Sequence, residues 1–214
     1  MSRIIDIGLE EQITLLTKMG ELTYETLSTS INGYLNGKSV QTEVREMSDT
    51  LVSMNAKVED KTFELIVRFQ PVASDLRAIK SYMKIGNDFA RYGRYALDIS
   101  SLGEQFEGLT RCEEWIKQYL FEMSEKVLTM VKISVSSLRK HDVTLAKTIT
   151  STEREVDKMY IEFVNRLMAH KSINNKTVAS SILVTRYLER IADHAVYVCE
   201  SVVYIVSGEK TNLG

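Results

Sequence analysis

Residues 187–209 read YLERIADHAVYVCESVVYIVSGE, and the fold turns on what this stretch forms. Leu188, Ile191, Ala195, Val198 and Val202 step by three or four residues, and Val178 and Ile182 lead into them with one turn skipped. That spacing lays an apolar stripe along one face of a helix, whereas a half-buried strand would alternate by two. Glu189 and Asp193 lie one turn apart and off the stripe, beside Arg190 and His194. Their place off the stripe suits a solvent-facing surface and a surface cluster equally well.

The same pattern extends outward. Leu9, Ile13, Leu16, Met19 and Leu22 make a matching stripe near the start of the chain. There is one proline, Pro71, and most of the ten glycines cluster near 33–37, 103–108 and the C-terminal end, so long segments contain nothing that breaks a helix. The spacing predicts helices over 5–35, 39–69, 72–102, 111–140, 142–171 and 174–207, each about 45 Å long at 1.5 Å per residue. Thr110 and Glu113 have the spacing of a capping box for the fourth. Helices of this length joined by short turns pack as antiparallel bundles. The expected fold is all-α: two tandem three-helix bundles, over residues 1–105 and 106–214. The abundant methionines and tyrosines fall to the core and the bundle seams.

Composition excludes several classes. With 27 basic and 29 acidic residues well mixed and a net charge of -2, there is no basic field for nucleic acid. Cys112 and Cys199 are far apart and outside any CxxC spacing, which argues against a disulfide framework or a zinc-thiolate site and suits a reducing cytoplasm. No run of apolar residues is long enough to span a bilayer, and the N-terminal stretch lacks the apolar core of a leader. There is no nucleophile elbow, P-loop or glycine-rich dinucleotide turn. None of His141, His170 or His194 has a glutamate three residues before it, so the Glu-x-x-His signature of di-iron carboxylate bundles is absent. The expectation is a protein that is not an enzyme.

The halves align with each other. FARYGRYALDIS (89–100) lies against LERIADHAVYVC (188–199), which places Ala90 opposite Glu189 and Arg94 opposite Asp193. In their setting, RFQPVASDLRAIKSYMKIGNDFARYGRYALDI and YLERIADHAVYVCESVVYIVSGE resemble the two repeat signatures of the PhoU family, and the likeness covers nearly the whole chain. The resemblance implies paired three-helix bundles in a cytoplasmic protein, often a homodimer. It also implies negative regulation of phosphate uptake through contacts with a phosphate ABC transporter ATPase and a partner sensor histidine kinase, with membrane association only through that partner. It further implies acidic ExxxD motifs on neighbouring helices that hold a divalent or trivalent metal (iron, zinc or magnesium).

Carboxylates at i and i+4 project from one helix face, and an adjacent helix can supply two more. The second half carries the motif twice, as Glu153/Asp157 and Glu189/Asp193. Glu200, eleven residues beyond Glu189, falls within about 20° of it and extends the acidic face. The first half has lost the motif: Ala90 has no ligand oxygen, Arg94 brings a fixed positive charge, and Ser48 and Val52 replace the earlier pair. Metal is therefore expected in the second repeat only. The competing reading makes these pairs a solvated or ion-paired surface with Arg154, Lys158 and Arg190 as partners, and the chain a metal-free helical adaptor for another partner. His194 reads as a surface or interface residue rather than a ligand. Asp75 reads as a helix N-terminal charge and Arg77 as a surface arginine, with a partner-binding role only by resemblance.

Overall fold

The computed structural model describes residues 3–170 and 172–214. Six long helices account for nearly all of it: α1 (Ile4–Asn36), α2 (Gln41–Phe69), α3 (Ala73–Phe106), α4 (Glu114–Lys140), α6 (Ile149–Ala169) and α7 (Asn175–Ser207), with one short helix, α5 (Val143–Lys147), between α4 and α6. No strand occurs among the described residues. Pro71 sits in the turn between α2 and α3, where a missing N–H costs nothing.

Two local expectations need correction. The helix expected over 142–171 is split, and residue 171 lies outside the described residues. Asp142 caps α5 by accepting the Leu145 N–H at 2.9 Å. One turn later the Thr148 N–H and hydroxyl both donate to the Leu145 carbonyl, at 3.1 and 2.7 Å. That tight closure ends the first helix, and the β-branched run from Thr148 to Thr150 restarts it with Ala146 and Ile149 both buried. The Thr110/Glu113 capping box does not form. Thr110 donates instead to the Glu107 carbonyl at 3.1 Å, and α4 begins at Glu114 with no side-chain cap. Thr110 is held there because its loop packs on the α1–α2 turn. Gly37 and Gly108 both take positive φ, and a Cβ on Gly108 would stand 2.4 Å from the Tyr34 carbonyl oxygen.

The first three helices pack on one another, as do α4, α6 and α7, and the two sets meet where α1 lies on α4 and α3 on α7. α2 and α6 are the outer helices. One apolar core runs through both halves, from Leu16, Leu51 and Phe89 to Val127, Phe163 and Ile191, all fully buried. The α3–α7 seam has pseudo-twofold character that the sequence register makes visible. Asp88 matches Tyr187 and Tyr95 matches His194. The structure places Asp88 against His194 at 2.9 Å and, as the mate of that contact, Tyr95 against Tyr187 with ring centroids 5.9 Å apart. Tyr95 and His194, which are matched to each other, also touch across the axis with centroids at 5.7 Å, as twofold-related residues near an axis must.

Candidate metal centre

The antiparallel neighbours α6 and α7 bring the second-half carboxylates together. Asp157, Glu189 and Asp193 each offer an oxygen, and the three oxygens lie within 4.8 Å of one another. Glu153 stands beside them, one turn before Asp157 on α6 and buried to 8% exposure. Of the two places open to them, Glu189 and Asp193 take the one facing Asp157 of α6 rather than open solvent. Their side chains are 13% and 21% exposed, because α6 lies along that face of α7 and closes a groove over it.

Gathering acids in a half-dry groove is costly, and the carboxyls show it. Glu153 is pushed above the ordinary glutamate range by burial first, then by Asp157 and Asp193. Glu189 is raised by burial and then by Asp193, with Arg186 and Arg190 opposing. Asp193 is raised by burial, with Arg190 the main opposing charge. Arg186 hydrogen-bonds Glu189 Oε1, and Arg190 bonds Asp193 at 3.1 Å. These pairs leave oxygens over. Among the described residues Glu189 Oε2 is buried without a hydrogen bond, Arg190 Nε lying 3.9 Å away, and the hydrogen-bond neighbour of the Glu153 carboxyl is another acid, Asp157. A cation is the species such orphaned acceptors fit. With ligands that are all oxygen, the set suits a hard ion such as magnesium or ferric iron better than zinc, which favours nitrogen and sulfur.

The other residues singled out in the sequence take the following places. His194 is buried in the α3–α7 seam, its Nδ1 paired with Asp88 Oδ1 at 2.9 Å and its Nε2 3.4 Å from the Tyr95 hydroxyl, so it ties the repeats together. Glu200 accepts the Leu213 N–H at 3.1 Å and pins the tail that follows α7. Arg77 is no free surface arginine: its Nε donates to the Ile205 carbonyl at 3.3 Å and its guanidinium lies over Tyr204, satisfying the C-terminal end of α7. Asp75 sits in the first turn of α3, as expected, and also pairs with Arg3 at 2.8 Å. Arg154 and Lys158 make no ion pair with the cluster, Lys158 reaching Glu162 instead at 3.6 Å. Cys199 is buried against Ser137, its thiol pushed up to about 12 by burial, and both thiols are free. Asp88 was missed in the sequence. Its only signal was a charge at a position matched by an aromatic.

Among the described residues the equivalent groove of the first repeat holds no such set. Ser48 is buried beside Gly93, Val52 is exposed, and Ala90 leaves a gap in ligation. Arg94 points to solvent near Asp98, whose carboxyl burial raises and Arg94 lowers.

These features define a class: an all-α protein of two three-helix repeats about a pseudo-twofold seam, with an acidic groove in one repeat. The chain belongs to the PhoU family, whose PhoU domain profile matches residues 16–102 and 120–202, one segment in each repeat. It is similar to the phosphate-specific transport system accessory protein PhoU homolog of Clostridium acetobutylicum, 28% identical over 99% of this chain and 98% of that one. It is also similar to the homolog of the same name from Pseudomonas aeruginosa, 26% identical over 97% of this chain and 87% of that one. The crystal structure of PhoU from P. aeruginosa superposes with a TM-score of 0.89 at 26% identity, over 95% of this chain and 99% of that one. The regulatory protein PhoU of Streptococcus pneumoniae shares the fold, with a TM-score of 0.74 at 20% identity over 97% and 99% of the two chains.

Proposed function

We propose that this chain is a non-catalytic accessory regulator of phosphate transport. It acts in the cytoplasm, as a homodimer, by negatively modulating the ATPase of a phosphate ABC transporter and its sensor histidine kinase through protein contacts. The observation that carries this reading is the match of both repeats to the PhoU domain, together with full-length similarity to proteins named as phosphate transport accessory proteins. No described helix is long and apolar enough to cross a membrane, so contact with a transporter would be peripheral, through the partner. Pull-down from cells tests it: recovery of the ATPase or the kinase is expected, and deletion is expected to raise phosphate uptake at high external phosphate. Unchanged uptake at high and low phosphate, with neither partner recovered, rejects the role.

The metal belongs to the same proposal. Asp157, Glu189 and Asp193 would supply the ligand oxygens, with Glu153 close enough to join or to hold a ligand water. The bound cation would relieve the repulsion among carboxylates that burial has sharpened. Arg186 and Arg190 favour a second reading, in which the arginines alone neutralise the cluster and the protein is a metal-free adaptor. The double substitution Glu189→Ala/Asp193→Ala separates the two. Elemental analysis of tag-free protein is expected to show stoichiometric metal in the parent chain and in Arg94→Ala, and none in the double variant. Equal content in all three rejects the site.

A further inference from the structure

Between α3 of the first repeat, α7 of the second and the tail after α7 lies a cleft of about 790 Å³, within the range of small-ligand sites. Its walls differ in charge. Lys80 and Lys84, one turn apart on α3, and Lys210 from the tail face Glu153, Asp193 and Glu200. None of the three lysines forms an ion pair among the described residues, although carboxylates line the same cleft; Lys84 lies over the Tyr197 ring at 5.4 Å. Glu153, nine-tenths buried, also lines the cleft, and its hydrogen-bond neighbour is another acid, Asp157, rather than a cation. Asp193 is shared, for it lines the cleft and belongs to the carboxylate triad.

We propose that this cleft binds a phosphate-group anion that bridges the three lysines to a cation held on the triad. The inference rests on the metal reading given above and extends it to a ligand. The chemistry requires both ends. An anion entering alone meets three ammonium groups and three carboxylates, which cancel, so lysines by themselves give it little. A multivalent cation on Asp157, Glu189 and Asp193 removes that cancellation and leaves the lysine wall in excess. A hard cation of the magnesium kind is commonly held by one or two carboxylates together with phosphate oxygens, and lysine is an effective point-charge partner for phosphate. One face of Tyr197 is taken by Lys84 and one face of Tyr204 by Arg77. This favours a compact anion, inorganic phosphate, over one that needs an aromatic shelf for a base. The lysines come from the first repeat and the tail, and the carboxylates from the second repeat. Ligand and metal together would therefore clasp the two repeats across their seam.

Calorimetric titration of the full chain tests the proposal, with manganese as the metal and inorganic phosphate as the anion. Phosphate is expected to bind at least about tenfold more tightly with manganese present than without, and manganese to gain the same factor from phosphate, since linkage is reciprocal. Lys80→Gln/Lys84→Gln is expected to abolish the gain while leaving the affinity for manganese alone unchanged, and circular dichroism checks that this variant is folded. Sulfate is expected to give a smaller gain despite its full double charge, because its oxygens are far less basic toward a hard cation and it has no proton to donate to Glu153. The inference fails by itself if manganese binds and phosphate leaves its affinity unchanged. It fails likewise if the lysine variant keeps the gain or if sulfate reproduces it in full. If manganese does not bind with or without phosphate, the metal reading falls and takes this inference with it.

Discussion

At matched positions of α3 and α7, one repeat has Ala90 and Arg94 where the other has Glu189 and Asp193, on backbones that pack alike about a pseudo-twofold axis. The difference shows which parts of the repeat the fold needs. Phe89 and Leu188, the preceding matched pair, are both fully buried. The two positions that differ in charge lie off the core stripe, where the fold tolerates either chemistry. In the second repeat they sit with Glu153 and Asp157 under α6 and gather negative charge. In the first, Arg94 stands in solvent near Asp98, and the groove between α2 and α3 is closed by Ser48 against Gly93.

The strongest way to break this comparison is to separate the repeats. A chain of residues 1–105 alone exposes Tyr34, Tyr82 and Tyr92. These are nearly or fully buried, and the first two bond to Ser180 and His141 of the other half at 2.9 and 3.0 Å. With one core running through both halves, the fragment is expected to lose its cooperative thermal transition by circular dichroism. A sharp transition in the fragment makes the repeats independent folding units.

Next in size are the matched core positions. Phe89→Ala should cost about 3–5 kcal/mol and Leu188→Ala about 2–5 kcal/mol, both read from chemical denaturation. Near-equal losses show the two repeats bearing equally on the shared core. A loss below about 1 kcal/mol at either position shows that repeat packing loosely.

The seam sharpens the comparison further, because one symmetry-related contact is polar and its mate aromatic. Asp88→Ala leaves the buried His194 Nδ1 without its partner and is expected to cost about 1–3 kcal/mol. Tyr187→Phe keeps the ring contact with Tyr95 and should change stability by less than about 0.5 kcal/mol. Equal costs in urea melts show that the Asp88–His194 hydrogen bond adds nothing beyond packing.

The smallest expected effect is on pH dependence. Burial raises the carboxyls of Glu153, Glu189 and Asp193 in the second repeat, and of Asp98 in the first, above their ordinary values of 4.5 for glutamate and 3.8 for aspartate. Between the ordinary and raised values the folded chain holds more protons than the unfolded one. Chelator-treated protein should therefore gain stability as pH falls from neutral through the raised values toward 4.5. Glu189→Gln/Asp193→Asn should flatten that slope more than Asp98→Asn does, since these groups are partly screened and the second repeat holds more of them. A steeper slope in the double variant overturns the assignment of the shifts to this groove.

The sequence by itself determined the helices and the repeat. Apolar spacing, scarce proline and clustered glycine act within a few residues, and the matched strings around Phe89 and Leu188 exposed the duplication. It also picked out Glu153, Asp157, Glu189 and Asp193, because spacing along one helix is a local property and the family resemblance supplied the neighbouring helix. Tertiary structure decided what those residues face. Periodicity gives the angle of a side chain about its own axis but says nothing of what lies opposite. Hence the face carrying Glu189 and Asp193 could be open or covered from spacing alone and is covered by α6, Arg77 reads as a surface arginine and satisfies the end of α7, and His194, a surface or interface residue by its position, becomes a seam residue once Asp88 lies across from it. The break at Thr148 and the missing cap at Thr110 share that origin. Each is a choice between local hydrogen bonds of nearly equal worth, and packing against a distant part of the chain breaks such ties.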